Sequence, residues 1–166
     1  MAADDTTVSP PESRRFCAFR LAGRLYGTDI LDVKEVNPET VFTPVFHAPE
    51  EVRGLVNIRG RIHLILDLRR ILGFESLETD EQSRLVLFKP VVGESFGVLV
   101  DSIDDVVEVE ADRIETSGLA EEEDIFSTEP GQDPHNVVTG VCRLRDTLLL
   151  ILDARTLPGI LEGKMA

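Results

Sequence analysis

Slid 86 positions along itself, the chain meets its own pattern, and that repeat limits what it can fold into more than any other feature. Val52-Arg53-Gly54-Leu55 falls on Val138-Thr139-Gly140-Val141, and Ile58-Arg59 falls on Leu144-Arg145. Leu64-Ile65-Leu66-Asp67-Leu68-Arg69 falls on Leu150-Ile151-Leu152-Asp153-Ala154-Arg155, and Gly73 on Gly159. A second echo, at a shift of 70, sets Tyr26-Gly27 on Phe96-Gly97, Val33 on Ile103 and Val36 on Val106. Both shifts occur in the same order along the chain, so the simplest account is two copies of one unit. The first runs from about Phe16 to Phe74 and the second from about Arg84 to Ile160. A unit of that size buries too little apolar surface to stand alone, so the copies are expected to pack on each other.

Within a unit the elements are short and β-rich. Phe16–Leu21 and Arg24–Ile30 read as strands joined at Ala22-Gly23, and residues up to Val36 continue as an extended segment. Val52–Ile58 and Arg61–Leu66 read as a hairpin turning at Arg59-Gly60, where Gly60 supplies a positive φ. Asp67 is placed to cap a short helix over Leu68–Leu72 that ends at Gly73. Asp153 caps its counterpart, which Pro158 is expected to shorten. The second copy supplies strands at Arg84–Pro90, Ser95–Asp101 and Val106–Val109, then an acidic excursion over 115–136. Short runs separated by glycine and turn residues predict small barrels rather than a βαβ sheet. The domain reading is a flexible tail over 1–14, one domain over 15–160 and a short tail over 161–166. Within it lie subdomains of about 16–83 and 84–160.

Charge narrows the partners. With 17 basic against 31 acidic residues the net charge is -14, which disfavours nucleic acid and anionic membrane surfaces. The longest apolar run, Leu148–Leu152, is far below the length of a membrane helix, so no direct insertion is expected. Cys17 and Cys142 have no metal-ligand spacing and read as buried small hydrophobes in a reducing compartment. The widely spaced His47, His63 and His135 show no zinc pattern. Asp67 and Asp153 read as caps and Asp101 as a strand end; no nucleophile–base pair or phosphate loop accompanies them, so no catalytic residues, metal or cofactor are expected.

The segment Val52-Arg53-Gly54-Leu55-Val56-Asn57-Ile58-Arg59-Gly60-Arg61-Ile62, with Leu66-Asp67-Leu68-Arg69, resembles the CheW family of chemotaxis coupling proteins. So do Phe96-Gly97-Val98-Leu99-Val100-Asp101-Ser102-Ile103 with Val106, and Tyr26-Gly27 with Ile30-Leu31 and Val33-Lys34-Glu35-Val36. The similarity runs in order from about Phe16 to Leu161. It implies a mostly β fold of two SH3-like five-stranded β-barrel subdomains with short helices.

It also implies a non-catalytic cytoplasmic adaptor, monomeric when free and recruited to membrane-associated receptor arrays. Such an adaptor couples the cytoplasmic tips of chemoreceptors, the methyl-accepting chemotaxis proteins, to the regulatory domain of a CheA-type histidine kinase. Arg59 aligns with the hairpin arginine of the family's receptor site, beside Gly60; Val33, Leu85 and Val106 align with its groove. Read from periodicity alone, those three apolar residues are equally core positions. Glu35, Val36 and Arg53 align with the kinase-facing side. The chain departs from the family where His63-Leu64 replaces a common Val-Pro, and in a longer, more acidic loop after Ile114. Two other readings stay open: an adaptor of another motility or developmental two-component pathway, and a small β-barrel metal enzyme using Asp67, His63 and the acidic loop.

Overall fold

A computed structural model describes residues 12–116 and 134–162, so most of the acidic excursion and both chain ends lie outside the described residues. Among the described residues eleven strands form two sheets. They are β1 (Ser13–Leu21), β2 (Arg24–Asp29), β3 (Val33–Asn37), β4 (Val52–Ile58), β5 (Arg61–Asp67), β6 (Arg84–Phe88), β7 (Phe96–Val100), β8 (Ser102–Glu110), β9 (Glu115–Thr116), β10 (Val138–Arg143) and β11 (Leu148–Leu152). Short helices α1 (Leu68–Ile71) and α2 (Leu157–Glu162) follow β5 and β11. The architecture is the mostly β, two-unit arrangement expected.

The strand orders are β8-β1-β2-β11-β10-β9 and β3-β6-β7-β5-β4. Replacing each strand by its repeat partner turns the first order into the second, apart from the two-residue β9. The match extends to individual residues. In the parallel pair β5–β7, Leu64 lies opposite Phe96, Ile65 opposite Gly97 and Leu66 opposite Val98. In β11–β2, Leu150 lies opposite Tyr26, Ile151 opposite Gly27 and Leu152 opposite Thr28. Bulges recur too, between Val52 and Gly54 and between Val138 and Gly140. The two shifts seen in the sequence are therefore one approximate twofold relation.

The sheets do not follow the division at residues 83 and 84. Hairpin β1–β2 of the first copy joins the sheet of β8–β11, whereas β6–β7 of the second copy joins β3, β4 and β5. The copies exchange their first hairpins, because each copy's last long strand pairs in parallel with the other copy's hairpin. A three-residue 3₁₀ turn, Ile30–Asp32, carries the chain from one sheet to the other. The boundary between 16–83 and 84–160 thus separates the repeats but not the barrels.

Alternation along the strands makes three cores. Phe16, Ala18, Leu25, Val109, Cys142, Leu149 and Ile151 fill the first barrel, formed by the β8-β1-β2-β11-β10-β9 sheet. Val56, Ile58, Ile65, Leu85, Leu87 and Leu99 fill the second barrel, formed by the β3-β6-β7-β5-β4 sheet. The largest cluster lies between them and joins Phe19, Leu21 and Tyr26 to Leu66, Val86, Phe96 and Val98, with Leu68 and Ile71 of α1 and Leu157 of α2. Each fully buried aliphatic or aromatic side chain there contributes about 1.5–3 kcal/mol, so the barrels hold each other as a single body. Both caps form as expected: Asp67 accepts from Arg69 N and Asp153 from Arg155 N, each at 3.1 Å. Pro158 does not curtail its helix. It falls in the first turn of α2, where its missing N–H has no partner to lose.

One ion pair ties the start of each helical segment to the exchanged hairpin. Arg69, beginning α1, grips Asp101 after β7 in a fork, Nε to Oδ1 at 2.8 Å and Nη2 to Oδ2 at 2.6 Å. Arg155, its repeat partner, reaches the buried Asp32 after β2 at 3.0 Å. Asp101 also accepts from the N–H of Ala22 at 3.0 Å, fastening the β1–β2 turn to the other sheet.

Candidate functional site: the hairpin tip and edge strand of the second barrel

The β4–β5 hairpin turns on two residues with positive φ, Arg59 at 52° and Gly60 at 85°. That pair defines a type I′ turn, whose twist matches the flanking strands. Asn57 Oδ1 accepts from Gly60 N at 2.9 Å and closes the turn. Positive φ at a non-glycine residue is not by itself a functional mark here, since Ala22 adopts 53° in the equivalent turn of β1–β2. What distinguishes Arg59 is its partner: the guanidinium pairs with the carboxylate of Glu35 on β3.

β3 and β4 are the two edges of this sheet, so the ion pair shows that the sheet curls until its edges meet. Farther along β4, Thr43 exchanges two 2.8 Å backbone bonds with Leu55 and covers the edge. Gly54 makes this approach possible. Its φ is 148°, and a Cβ there would sit 2.7 Å from Thr43 O.

Glu35 also accepts from Asn37 Nδ2 at 3.1 Å. Arg59, and secondarily Asn37, hold its carboxyl below the usual carboxylate range by hydrogen bonding to the charged form. The Arg59 side chain remains 69% exposed. An exposed pair of this kind contributes little to stability. It instead presents an oriented guanidinium at a loop tip, with Val36 exposed on the adjacent strand.

The structure brings some of the expected residues together and separates others. Arg59, Gly60, Glu35 and Val36 form one surface, so residues aligned with receptor and with kinase touch directly. Val33, on the same strand, is half-buried against the central core. Val106 is exposed on β8, the equivalent edge of the other sheet. Leu85 is fully buried in the second barrel and presents no surface. It faces inward because its neighbours on β6 alternate between the barrel core and the central core.

Arg53 is engaged internally. It donates to Ser76 Oγ at 3.1 Å and Leu77 O at 3.2 Å, lies 3.4 Å from Asp67, and stacks over Phe42 at 5.2 Å. Ser76 in turn donates to Asp67 at 2.5 Å. This network pins the segment after α1. Periodicity gave no sign of it, because Arg53 has no repeat partner of its type; Thr139 stands there.

Among the described residues no group of three or more His, Cys, Asp or Glu is placed to hold a metal, and no helix is long and apolar enough to cross a membrane. His63 is buried, with Nδ1 3.1 Å from Arg61 O, at the position where the other barrel has Leu149. Asp67 and Asp101 are occupied by arginines and backbone amides.

Known proteins match this arrangement. The family profile described as CheW-like domain covers residues 15–160. The chemotaxis protein CheW of Rhizobium meliloti is 31% identical over 96 residues, 58% of this chain and 61% of that protein. The CheW of Treponema pallidum is 28% identical over 157 residues, 88% of this chain and 82% of that protein. The crystal structure of the scaffolding protein TtCheW from Thermoanaerobacter tengcongensis superposes with a TM-score of 0.71 at 26% identity, covering 86% of this chain and 90% of that one. With the Rhizobium relative the match spans less than two thirds of that protein's length. With nearly nine tenths of its length inside the family profile, the chain belongs to the CheW-like domain family.

Proposed function

We propose that this protein is a non-catalytic adaptor that couples the cytoplasmic tips of chemoreceptors to a CheA-type histidine kinase at membrane-associated arrays. The observation that carries this reading is the Arg59–Glu35 pair at an exposed hairpin tip of a CheW-like domain, beside the exposed Val36. A guanidinium held in one orientation by a neighbouring carboxylate gives a partner a fixed donor fork at small entropic cost. The surrounding apolar side chains supply contact area.

The receptor-facing residues are Val33, Arg59, Gly60 and Val106, and the kinase-facing residues are Glu35 and Val36. Leu85 and Arg53 support those surfaces from inside. Because Arg59 and Glu35 pair within one surface, a receptor state with different contacts at Arg59 biases the kinase through the same hairpin and strand. The adaptor contributes geometry and binding energy, and breaks no bond.

Co-sedimentation with receptor-bearing membranes, with and without kinase, tests the reading. Arg59→Glu is expected to abolish the pair with Glu35 and to weaken receptor capture while the circular dichroism spectrum and melting temperature stay close to those of the parent. Undiminished capture by a folded Arg59→Glu protein would refute the assignment of Arg59.

A further inference from the structure

Among the described residues the carboxylate of Glu35 is the only partner of the Arg59 side chain, which otherwise stands largely in solvent. How firmly Glu35 is held therefore decides how well the guanidinium fork is aimed. The last torsion of a glutamate is broad, so a carboxylate held at one oxygen swings. Glu35 is held at both. Its Oε1 takes Arg59, and its Oε2 accepts from Asn37 Nδ2 at 3.1 Å.

Asn37 is itself fixed. Its Oδ1 accepts from Glu39 N at 2.8 Å, and Glu39 Oε2 accepts from Val41 N at 3.0 Å. Two residues on, Thr43 is bonded to Leu55 of β4, the strand that leads into the Arg59 turn. The relay thus starts and ends on one hairpin. The two ends of the Asn37 amide are not interchangeable. A carboxylate only accepts and a backbone N–H only donates, so the amide nitrogen faces Glu35 and the oxygen faces Glu39. An aspartate would lack the donor, and a serine would lack the reach.

The barrel does not need this relay. At the matching place in the first barrel stands Val107, which lies opposite Phe16 on β1 as Asn37 lies opposite Leu85 on β6. Val107 packs on the core of its barrel. The duplicated strand folds with an apolar side chain at this position, so the polar one in the second barrel serves the surface.

We infer that Asn37 is a positioning residue: it locks the Glu35 carboxylate, and through it the Arg59 guanidinium, in the orientation that the kinase and receptor read. The inference rests on the reading of the Arg59–Glu35 surface as a binding site. It assigns no contact with either partner to Asn37, whose effect travels through Glu35.

The test measures binding of the full chain to the full-length CheA-type kinase by calorimetry, with the Glu35 carboxyl-carbon titration followed by NMR. Asn37→Asp keeps the acceptor for Glu39 N, and with it the turn, but sets a second carboxylate against Glu35. Asn37→Ser removes the donor without adding charge, and decides the matter if the aspartate variant does not fold. Asn37→Ser is expected to weaken kinase binding about fivefold, the equivalent of one hydrogen bond, and Asn37→Asp more. The Glu35 midpoint is expected to rise in both, whereas loss of a turn alone would leave it in place. In a Glu35→Ala background Asn37→Ser is expected to cause no further loss. An unmoved Glu35 midpoint, or an undiminished effect of Asn37→Ser in the Glu35→Ala background, overturns the inference. So does parent-like binding by folded Asn37 variants when Glu35→Ala binds weakly, and that result leaves the surface reading standing. Parent-like binding by Glu35→Ala overturns the kinase-facing reading itself, and the inference with it.

Discussion

Gly27 and Gly97 are repeat partners at the same place in each parallel strand pair, opposite Ile151 and Ile65. Alanine at each is expected to behave differently. A Cβ at Gly97 would lie 2.6 Å from Val86 O and 2.7 Å from Leu87 Cδ2. The carbonyl is bound into the β6–β7 ladder and cannot withdraw without breaking register. At Gly27 the nearest atoms are Leu149 Cδ1 and Phe16 Cβ, both at 3.1 Å, so a shift of a few tenths of an ångström relieves them.

Overpacking that moves backbone costs about 1–3 kcal/mol. Glycine to alanine in an ordinary conformation returns about 0.4–1 kcal/mol through the unfolded chain. Gly97→Ala is therefore expected to lose about 2 kcal/mol and Gly27→Ala to stay within about 1 kcal/mol of the parent. For a domain of this size that separates their melting temperatures by roughly 4–8 °C. Far-ultraviolet circular dichroism measures it, since the chain has no tryptophan. A Gly97→Ala protein as stable as Gly27→Ala would refute the reasoning.

Two further outcomes follow from the hydrogen bonds and burial. Glu35 has a folded pKa lowered by Arg59, so its contribution to stability is fully present above the ordinary carboxylate value of 4.5 and is lost as pH falls from there through the lowered value. A carboxyl-carbon NMR titration of Glu35 is expected to show a low midpoint that rises in Arg59→Ala; an unmoved midpoint contradicts the pairing. Burial raises the thiol pKa of both Cys17 and Cys142, so a thiol reagent at neutral pH is expected to label them slowly in the native chain and quickly in denaturant. Fast native labelling of Cys17 would place it at the surface.

Much of this was legible because duplication leaves marks that survive divergence. Asp67 and Asp153, with Arg69 and Arg155 two residues on, announced matching caps, and both form. The Arg59-Gly60 turn was readable because a type I′ hairpin tolerates few residue pairs. The exchange of hairpins was not readable. Strands β2 and β7 carry the same local pattern whichever copy they join, so only the three-dimensional pairing decides. Leu85 and Val106 were indistinguishable as apolar strand residues, yet one is fully buried and the other 54% exposed. The role of Arg53 was hidden for a related reason: its partners Phe42, Ser76 and Leu77 come from two loops that carry no periodic signal.

The exchanged hairpins also set a timetable for biosynthesis. β1 and β2 leave the ribosome long before β11, which β2 needs on its free side and which is completed only at Leu152. At about 5–20 residues per second the opening hairpin waits on the order of ten seconds with an apolar face uncovered. The second barrel can close once β7 is made, while the first must stay unfinished until β11 has been added.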